Sequence, residues 1–307
     1  MELRKRYVAE LSRLMKQNDK IFVLDADLAG AGGTKPLYKE FPERCIDVGI
    51  AEANMTCIAA GLSASGFVPF IHSFAPFTSR RVFDQIAVSV SYSDQNIKII
   101  GFDPGVTTTY NGGTHMCFED IAMMRALSNV AVLDIVDGIQ LEKALPYIVE
   151  HKGTMYIRVV RKQEETLFDE NYQFHFGKAD QLAEGKDITI VACGTSLFDA
   201  KKATEILAEN GISVDLLGIH TVKPLDDEAI ITSAQKTGNV LTVENHSIHG
   251  GLYSAVCETL SRACPTRCDG IGVYDKVSQV GSLNDLKRDY HMSVEDIVQK
   301  ALDMLGK

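Results

Sequence analysis

Apolar strand-like runs alternate with helix-like runs along almost the whole chain, and this alternation constrains the fold more than any other feature. In the first half the strand candidates are IFVLDAD, CIDVGI, VPFIHSF, IKIIGF, AVLDIV and MYIRVV. Short apolar strands separated by helices predict a parallel sheet that is covered on both faces. The sequence therefore predicts a fold of the α/β class.

The alternation stops after Val160 and resumes at about residue 188, which divides the chain in two. The intervening stretch RKQEETLFDENYQFHFGKADQLAEGKD is charged and has no long apolar run, so we interpret it as a linker with one hairpin. The pattern then continues with ITIVACG, VDLLGI, VLTVEN and IGVYD. We predict a first α/β domain over residues 1–165, a linker over 166–184 and a second α/β domain over 185–307.

Composition and charge exclude several classes of protein. The net charge of -10 argues against a nucleic-acid surface. No apolar run approaches the roughly 20 residues that a membrane-spanning helix needs, and the first residues lack the apolar stretch of a signal peptide. The seven cysteines show no metal-like spacing and are interpreted as reduced thiols. We therefore expect a cytoplasmic protein that binds neither membranes nor nucleic acid and has no metal site of its own.

Residues whose side chains could bind a ligand or take part in catalysis follow several of the strand candidates in the first domain. Asp25 and Asp27 follow IFVL, Glu52 follows CIDVGI, and the loop DPGVTTTYNGGTH follows IKIIGF. Ligands of open α/β sheets bind outside the carboxyl ends of the strands, so this placement predicts one site in the first domain. Taken singly, each signal has a structural alternative. Glu52 would also suit a helix start, where an acid stabilises by ~0.3–1 kcal/mol, and His115 could cap the helix that follows it.

Four segments in a fixed order carry a resemblance to a known family. They are DVGIAEAN, HSFAPFTSRRVFDQ, NGGTHMCFED and YIRVVRKQ. This order resembles the C-terminal half of transketolases and of the related deoxyxylulose-phosphate synthases. The resemblance runs from about residue 3 to the C-terminus, although the second domain matches mainly in pattern. It implies a pyrimidine-binding domain, a transketolase C-terminal domain and the cofactor thiamine diphosphate.

The resemblance also implies roles for individual side chains. Glu52 matches the acid that hydrogen-bonds N1′ of the cofactor's aminopyrimidine ring. Phe77 matches the aromatic residue that stacks on that ring, and Phe74 precedes it by three residues. Asp27 matches an acid on the thiazolium side of the cofactor. His115 matches the histidine that faces the hydroxyl and carbonyl oxygens of the substrate, where imidazole can both donate and accept a proton.

The implied substrate pocket combines family features with departures from them. Arg161 matches the arginine that binds the distal phosphate of a sugar phosphate, and Arg4 matches a second phosphate-binding arginine. Asn111 stands where transketolases carry an aspartate, and Asp103 stands where they carry a histidine. Met116 replaces a common glutamine. These departures predict an altered choice of sugar, and the sequence identifies neither the ketose nor the aldehyde.

A GDG motif followed by an asparagine, which in this family holds the diphosphate and Mg²⁺, has no counterpart in the chain. The resemblance therefore implies the C-terminal subunit of a split transketolase. An N-terminal transketolase subunit would supply the diphosphate and Mg²⁺ site, two copies of each chain would form a heterotetramer, and this chain would be inactive alone. The implied reaction moves a two-carbon ketol unit from a ketose phosphate to an aldehyde.

Two alternatives remain open from the sequence. The first is the β subunit of a 2-oxo acid dehydrogenase or of a decarboxylating ketol synthase, against which His115 and Arg161 favour a transketolase. The second is a non-catalytic regulatory subunit of the same fold, which the joint presence of Glu52, Phe77 and His115 argues against.

Overall fold

A parallel sheet forms the centre of the first of two compact units. The computed structural model describes residues 1–307, and unit 1 comprises Met1–Pro104 and Met123–Phe176. Its strands are β1 Ile21–Asp25, β2 Cys45–Asp47, β3 Val68–Phe74, β4 Lys98–Phe102, β5 Val130–Asp134 and β6 Thr154–Val159. They lie in the order β5-β6-β4-β3-β1-β2, and every neighbouring pair is parallel. The carboxyl ends of all six strands therefore meet at one edge of the sheet.

Seven α-helices lie within the first 176 residues. They are α1 Leu3–Gln17, α2 Ala29–Gly32, α3 Lys35–Glu40, α4 Glu52–Ala64, α5 Phe83–Gln85, α6 Asp120–Ala126 and α7 Gly138–Glu150. The spacing of Leu3, Tyr7, Leu11 and Leu14 in the sequence predicts an amphipathic first helix with these residues on one face. This prediction is confirmed, because all four residues are buried in α1, which packs against α7.

The sequence pattern over Phe83–Tyr92 is helix-like, and the segment is helical in the structure, but it is not a regular α-helix. The three residues of α5 continue directly into a π-helix over Ile86–Ser91. The π-helix has a wider turn than an α-helix, with hydrogen bonds between residues five positions apart. The hydrogen bond from the Gln95 amide to the Val90 carbonyl oxygen has this spacing. Apolar spacing distinguishes a helix from a strand, but it does not distinguish an α-turn from a π-turn.

The last residues of unit 1 pack onto α7. The Asp137 carboxylate, at the start of α7, accepts hydrogen bonds from the amides of Leu167 and Phe168 at 2.6 and 3.0 Å. The Phe176 ring stacks on Tyr147 with a centroid separation of 4.9 Å. Part of the charged stretch that we interpret as a linker is thus fixed to the body of unit 1.

Unit 2 comprises Gly105–Ala122 and Gly177–Lys307. Its strands are β7 Asp180–Ala183, β8 Ile188–Cys193, β9 Val214–Ile219, β10 Thr221–Lys223, β11 Asn239–Ser247 and β12 Arg267–Val273. Five of them form a sheet in the order β12-β11-β8-β9-β7, in which only β7 is antiparallel to its neighbour. The helices of its C-terminal part are α8 Ser196–Glu209, α9 Asp227–Thr237, α10 Leu252–Ala263, α11 Leu283–Asp289 and α12 Val294–Leu305.

The α/β class that the sequence predicts is confirmed in both units. The sequence analysis groups residues 105–122 with the first domain, whereas they lie in compact unit 2. None of the helices combines the length and the apolar character that crossing a membrane requires.

Candidate cofactor and substrate site

Glu52 is the first residue of α4, and its side chain is only 4% exposed. A tight turn brings it there after β2 ends, since Gly49 has a φ of 72° and its amide donates to Asp47 Oδ1 at 2.9 Å. The positive φ suits glycine, which has no Cβ to clash. The turn thus places a buried carboxylate at a helix N-terminus, where the helix dipole favours negative charge.

Arg81 connects Glu52 to an aromatic ring. Its Nη1 donates to Glu52 Oε1 at 2.8 Å, and its guanidinium carbon lies 3.8 Å from the centroid of the Phe77 ring. The Arg81 side chain is 45% exposed, so the contact lies at the protein surface. No sequence motif marks Arg81, and the only signal for it is its position four residues after Phe77, in the segment that follows β3.

Phe74 and Phe77 pack edge to face beside this ion pair. Their ring centroids are 6.1 Å apart and their planes are inclined by 85°. Phe74 is the last residue of β3 and is buried, and the guanidinium carbon of Arg161 lies 4.5 Å from its ring centroid. Each of the two phenylalanine rings therefore makes a cation–π contact with one arginine.

Asp103 binds Arg161 through several hydrogen bonds. Arg161 Nε and Nη2 donate to Asp103 Oδ2 at 2.8 and 2.6 Å, and the Arg161 backbone amide donates to Oδ1 at 2.9 Å. Both residues are buried. Asp103 follows β4 and Arg161 follows β6, which are neighbours in the sheet. The Asp103 carboxylate thus neutralises and orients the Arg161 guanidinium.

A second arginine approaches the same place. Arg4 Nη1 and Arg161 Nη1 both donate to the Ala31 carbonyl oxygen, at 2.8 and 3.0 Å. Arg4 Nε also pairs with Glu2 at 2.9 Å. Two guanidinium groups, each paired with one carboxylate, thus converge on one carbonyl oxygen and form a locus whose planar N–H donors suit the oxygens of an anionic substituent. A series of contacts joins this locus to the carboxylate at the start of α4. Its members are Glu52, Arg81, Phe77, Phe74, Arg161 with its partner Asp103, the Ala31 carbonyl oxygen and Arg4.

Asp27 lies outside this series of contacts. It is exposed, has a left-handed backbone with a φ of 59°, and its amide donates to Asp47 Oδ1 at 3.0 Å. With Ala29, Gly30, Lys35, Tyr38 and Asp47 it lines a cavity of about 290 Å³. The cavity is open to a ligand beside the carboxyl end of β1.

Asp25, the last residue of β1, is buried and has an incomplete set of hydrogen bonds. Its Oδ2 accepts from Thr34 and Tyr38 at 2.8 and 3.0 Å, whereas its buried Oδ1 has no partner. Burial raises the pKa of the Asp25 carboxyl. The end of β1 thus holds a buried carboxyl group with one oxygen that accepts no hydrogen bond.

His115 belongs to unit 2 and is half-buried. Its Nδ1 lies 2.8 Å from Thr114 Oγ1, its amide donates to the Gly112 carbonyl at 3.0 Å, and its carbonyl accepts from Thr108 Oγ1 at 3.2 Å. Asn111 is exposed in the same loop. The loop therefore fixes the backbone of His115 through short-range bonds and leaves part of the residue open to solvent.

The matches to protein-family models cover nearly the whole chain. The model of the transketolase pyrimidine-binding domain matches residues 1–165, and that of the transketolase C-terminal domain matches residues 177–297. The chain is a member of the transketolase family. The predicted family and the predicted order of two domains are thereby confirmed.

Two relatives of this transketolase-family chain are named as transketolase subunits, and one solved relative is described as a split gene transketolase. It is 46% identical to the 6-deoxy-6-sulfo-D-fructose transketolase subunit SqwH of Clostridium sp. (strain MSTE9), over 97% of this chain and 93% of the relative. It is 33% identical to an apulose-4-phosphate transketolase subunit of Phocaeicola vulgatus, over 99% of this chain and 97% of the relative. A solved structure described as a split gene transketolase, inactive beta4 tetramer, matches with a TM-score of 0.91 at 36% identity and covers 100% of this chain and 98% of that one.

The residues at Glu52 and Phe77 fit the cofactor that the transketolase family implies. The Arg81 guanidinium that now contacts both of them is planar, lies on the aromatic ring and donates an N–H to the carboxylate. An aminopyrimidine ring is also flat and would meet the same two groups. Nowhere in residues 1–307 do three or more His, Cys, Asp or Glu side chains come together as a group that could hold a metal ion.

Proposed function

We propose that this chain is the C-terminal subunit of a split, thiamine diphosphate-dependent transketolase. The enzyme transfers a two-carbon ketol unit from an anionic ketose to an aldehyde. The observation that carries the proposal is the buried Glu52 carboxylate at the start of α4, with the face of Phe77 held beside it through Arg81. When bound, thiamine diphosphate supplies the nucleophilic carbon that accepts and releases the two-carbon unit.

Glu52 and Phe77 have different roles toward the aminopyrimidine ring. With the cofactor bound, the Glu52 carboxyl group would form a hydrogen bond with ring nitrogen N1′. The Phe77 ring would stack on the aminopyrimidine ring, and stacking is a preferred geometry of aromatic pairs. Burial keeps water from competing for the carboxyl group, because Glu52 is 4% exposed.

Arg161 and Arg4 bind the distal anionic group of the donor. Their guanidinium groups converge on the Ala31 carbonyl, and Asp103 fixes the orientation of Arg161. Two relatives are named for a sulfonated and a phosphorylated sugar, and both substituents present three oxygens to a cation. We infer that the donor of this enzyme is a ketose with a terminal phosphate or sulfonate.

His115 forms hydrogen bonds with the hydroxyl and carbonyl oxygens at the reacting end of the sugar. Neutral imidazole donates from one nitrogen and accepts at the other, so one side chain can orient a hydroxyl and exchange its proton. Thr114 Oγ1 lies within hydrogen-bond distance of His115 Nδ1 and so helps to orient the ring. Asn111, in place of an acid, offers both a donor and an acceptor to a sugar hydroxyl.

A partner chain completes the enzyme. We assign the Mg²⁺ and diphosphate site to an N-terminal transketolase subunit, because the sequence of this chain carries no GDG motif followed by an asparagine. The solved relative supports this assignment, since its description names an inactive tetramer of β chains. Two copies of each chain would form the working heterotetramer.

The role of Glu52 is tested with the substitution Glu52→Gln in the enzyme reconstituted from both subunits. The amide keeps the shape of the acid but has no ionisable proton, so hydrogen–deuterium exchange at C2 of the cofactor should slow by at least ~10²-fold. The exposed acid Glu43 provides the control variant Glu43→Gln, which should exchange like the wild type. An unchanged exchange rate in Glu52→Gln would rule out the assigned role.

A further inference from the structure

The loop that carries His115 is held at both ends by one strand of unit 2. The loop comprises residues 105–119, and the strand is β11, whose last four residues are Glu244, Asn245, His246 and Ser247. At the entrance, the Val106 amide donates to Asn245 Oδ1 at 2.9 Å. At the exit, the Ser247 amide donates to the Phe118 carbonyl at 2.8 Å. Residues separated by more than 100 positions in sequence thus fix the two ends of the loop.

The backbone at the entrance of the loop is closely packed against Asn245. Gly105 has a φ of 59°, and a Cβ atom added there would lie 2.1 Å from Asn245 Oδ1. Asn245 is 4% exposed and Val106 is 1% exposed, so water cannot replace the bond between them. Asn245 therefore determines the direction in which the chain enters the loop.

The residues on either side of Asn245 in β11, Glu244 and His246, are held by their own hydrogen bonds. Glu244 accepts hydrogen bonds from the amides of Leu252 and Tyr253 at the start of α10, at 2.7 and 2.8 Å. His246 is fully buried, with its Nδ1 2.7 Å from the Ser247 carbonyl and its Nε2 3.4 Å from the Ala122 amide. The end of β11 is thus anchored on both sides of Asn245, which gives the loop a rigid support.

The conformation of the loop needs such a support. Thr109 has a φ of 52° and a ψ of -119°, which is a sparsely populated region for a residue with a Cβ atom. A backbone of this kind costs about 1–3 kcal/mol and persists only where the surrounding structure enforces it. Within the loop, the amides of His115 and Met116 both donate to the Gly112 carbonyl at 3.0 Å. A shift at the entrance would therefore carry through to His115.

We propose that Asn245 is a positioning residue for His115, and that holding this loop is a function of the C-terminal domain in the reaction. The inference rests on the proposed function, because it takes His115 as the residue that faces the sugar. Asn245 itself acts only through the loop. Losing its acceptor should move the histidine without disturbing the chemistry of Glu52, which belongs to unit 1.

The test compares Asn245→Ala with Asn245→Asp in the enzyme reconstituted from both subunits. Displacing a substrate-positioning group by about 1 Å costs roughly 10²-fold in rate, so kcat for two-carbon transfer from D-fructose 6-phosphate or 6-deoxy-6-sulfo-D-fructose should fall by that order in Asn245→Ala. Asn245→Asp keeps an oxygen at the same place and should recover most of the loss. Exchange at C2 of the cofactor should stay within about twofold of wild type in both variants. Asn239→Ala, at the other end of β11, is the matched control and should behave as wild type.

A second measurement needs no activity and uses the full chain alone. Amide hydrogen exchange at Val106 and through the loop should accelerate in Asn245→Ala and not in Asn245→Asp or Asn239→Ala, because exchange reports local opening. If Asn245→Ala does not fold, Asn245→Ser replaces it, since the shorter side chain cannot reach the Val106 amide. Unchanged exchange in the loop would overturn the inference even if the wild-type enzyme proved inactive. Equal losses of transfer and of C2 exchange would also overturn it, by showing a general structural defect.

Discussion

The guanidinium carbon of Arg81 lies 3.8 Å from the centroid of the Phe77 ring. The same guanidinium donates to Glu52 at 2.8 Å, so Arg81 makes both of the contacts that we assign to the aminopyrimidine ring of the cofactor. Two flat groups cannot share one face of Phe77. An aminopyrimidine ring stacked on that face of Phe77 would therefore displace the Arg81 guanidinium.

We expect Arg81→Ala to bind thiamine diphosphate more tightly in the complex with the partner subunit. Because the Arg81 side chain is 45% exposed, solvent screens its interactions, and we take ~0.5–1 kcal/mol for its cation–π contact and ~0.2–1 kcal/mol for its ion pair with the buried Glu52. Removing both as competitors should therefore tighten binding by about 3- to 30-fold. Calorimetric titration of wild type and variant measures the difference. Arg13→Ala removes a comparably exposed arginine paired with Glu10 and should leave the affinity unchanged. Weaker binding by Arg81→Ala would mean that the guanidinium assists the cofactor.

Arg161→Ala should impair the use of anionic donors selectively. A charge-assisted hydrogen bond contributes roughly 1.5–3 kcal/mol, which corresponds to about 10- to 150-fold in kcat/KM. Part of the loss should fall on kcat, because binding energy from a remote group contributes to the reaction step. The measurement is a donor panel of D-fructose 6-phosphate, 6-deoxy-6-sulfo-D-fructose and unsubstituted D-fructose. Equal losses for all three donors would refute the anion-binding role.

Asn111→Asp restores the acid that ordinary transketolases carry in this loop. An aspartate accepts hydrogen bonds but donates none, so the variant should shift the donor preference toward the usual phosphorylated sugars. Asn111 is exposed, and its replacement should therefore leave the thermal stability of the chain unchanged. The same donor panel checks the prediction. An identical panel for wild type and variant would show that Asn111 does not select the sugar.

The sequence predicted those parts of the fold that depend on local patterns. The helix-like run Val294 to Leu305 is α12 in the structure, and its start carries a local signal, since Ser293 and Asp296 form a capping box. The parallel strands of unit 1 likewise bring Asp25, Glu52 and Asp103 to one edge of the sheet, as the order of the strand candidates predicts.

The features that the sequence did not predict depend on tertiary contacts. The pairing of Arg81 with Glu52 joins residues 29 positions apart, and the bond from Val106 to Asn245 joins residues 139 positions apart. Neither contact has a signature in spacing or composition. The Asp103–Arg161 pair had a partial signal, because both residues follow strand candidates, but the sequence does not show that these strands are adjacent.

Lys98 gives a prediction about the dependence of stability on pH. Its Nζ is buried and donates to Asn96 Oδ1 and to the carbonyls of His151 and Gly153 at 2.7–2.8 Å. Burial lowers the pKa of Lys98 from 10.5 to about 7. Between these two values the unfolded chain binds more protons at this residue than the folded chain, so its contribution to the free energy of unfolding rises with pH across that window.

Urea unfolding at several pH values across that window measures this contribution. Lys98→Met should flatten the rise, because the variant has no titrating group at this position. The exposed neighbour Lys152 supplies the control variant Lys152→Met, which should keep the slope of the wild type. Parallel curves for wild type and Lys98→Met would contradict the lowered pKa.

The central claim is that this chain supplies one half of a split active site. The most direct measurement is two-carbon transfer to D-glyceraldehyde 3-phosphate from the two anionic ketoses, with thiamine diphosphate and Mg²⁺ present. It is made on this chain alone, on an N-terminal transketolase subunit alone and on their mixture. The account predicts transfer by the mixture only, with loss of transfer when Glu52→Gln replaces the wild-type chain. Transfer by this chain without a partner, or an active mixture that tolerates Glu52→Gln, would contradict it.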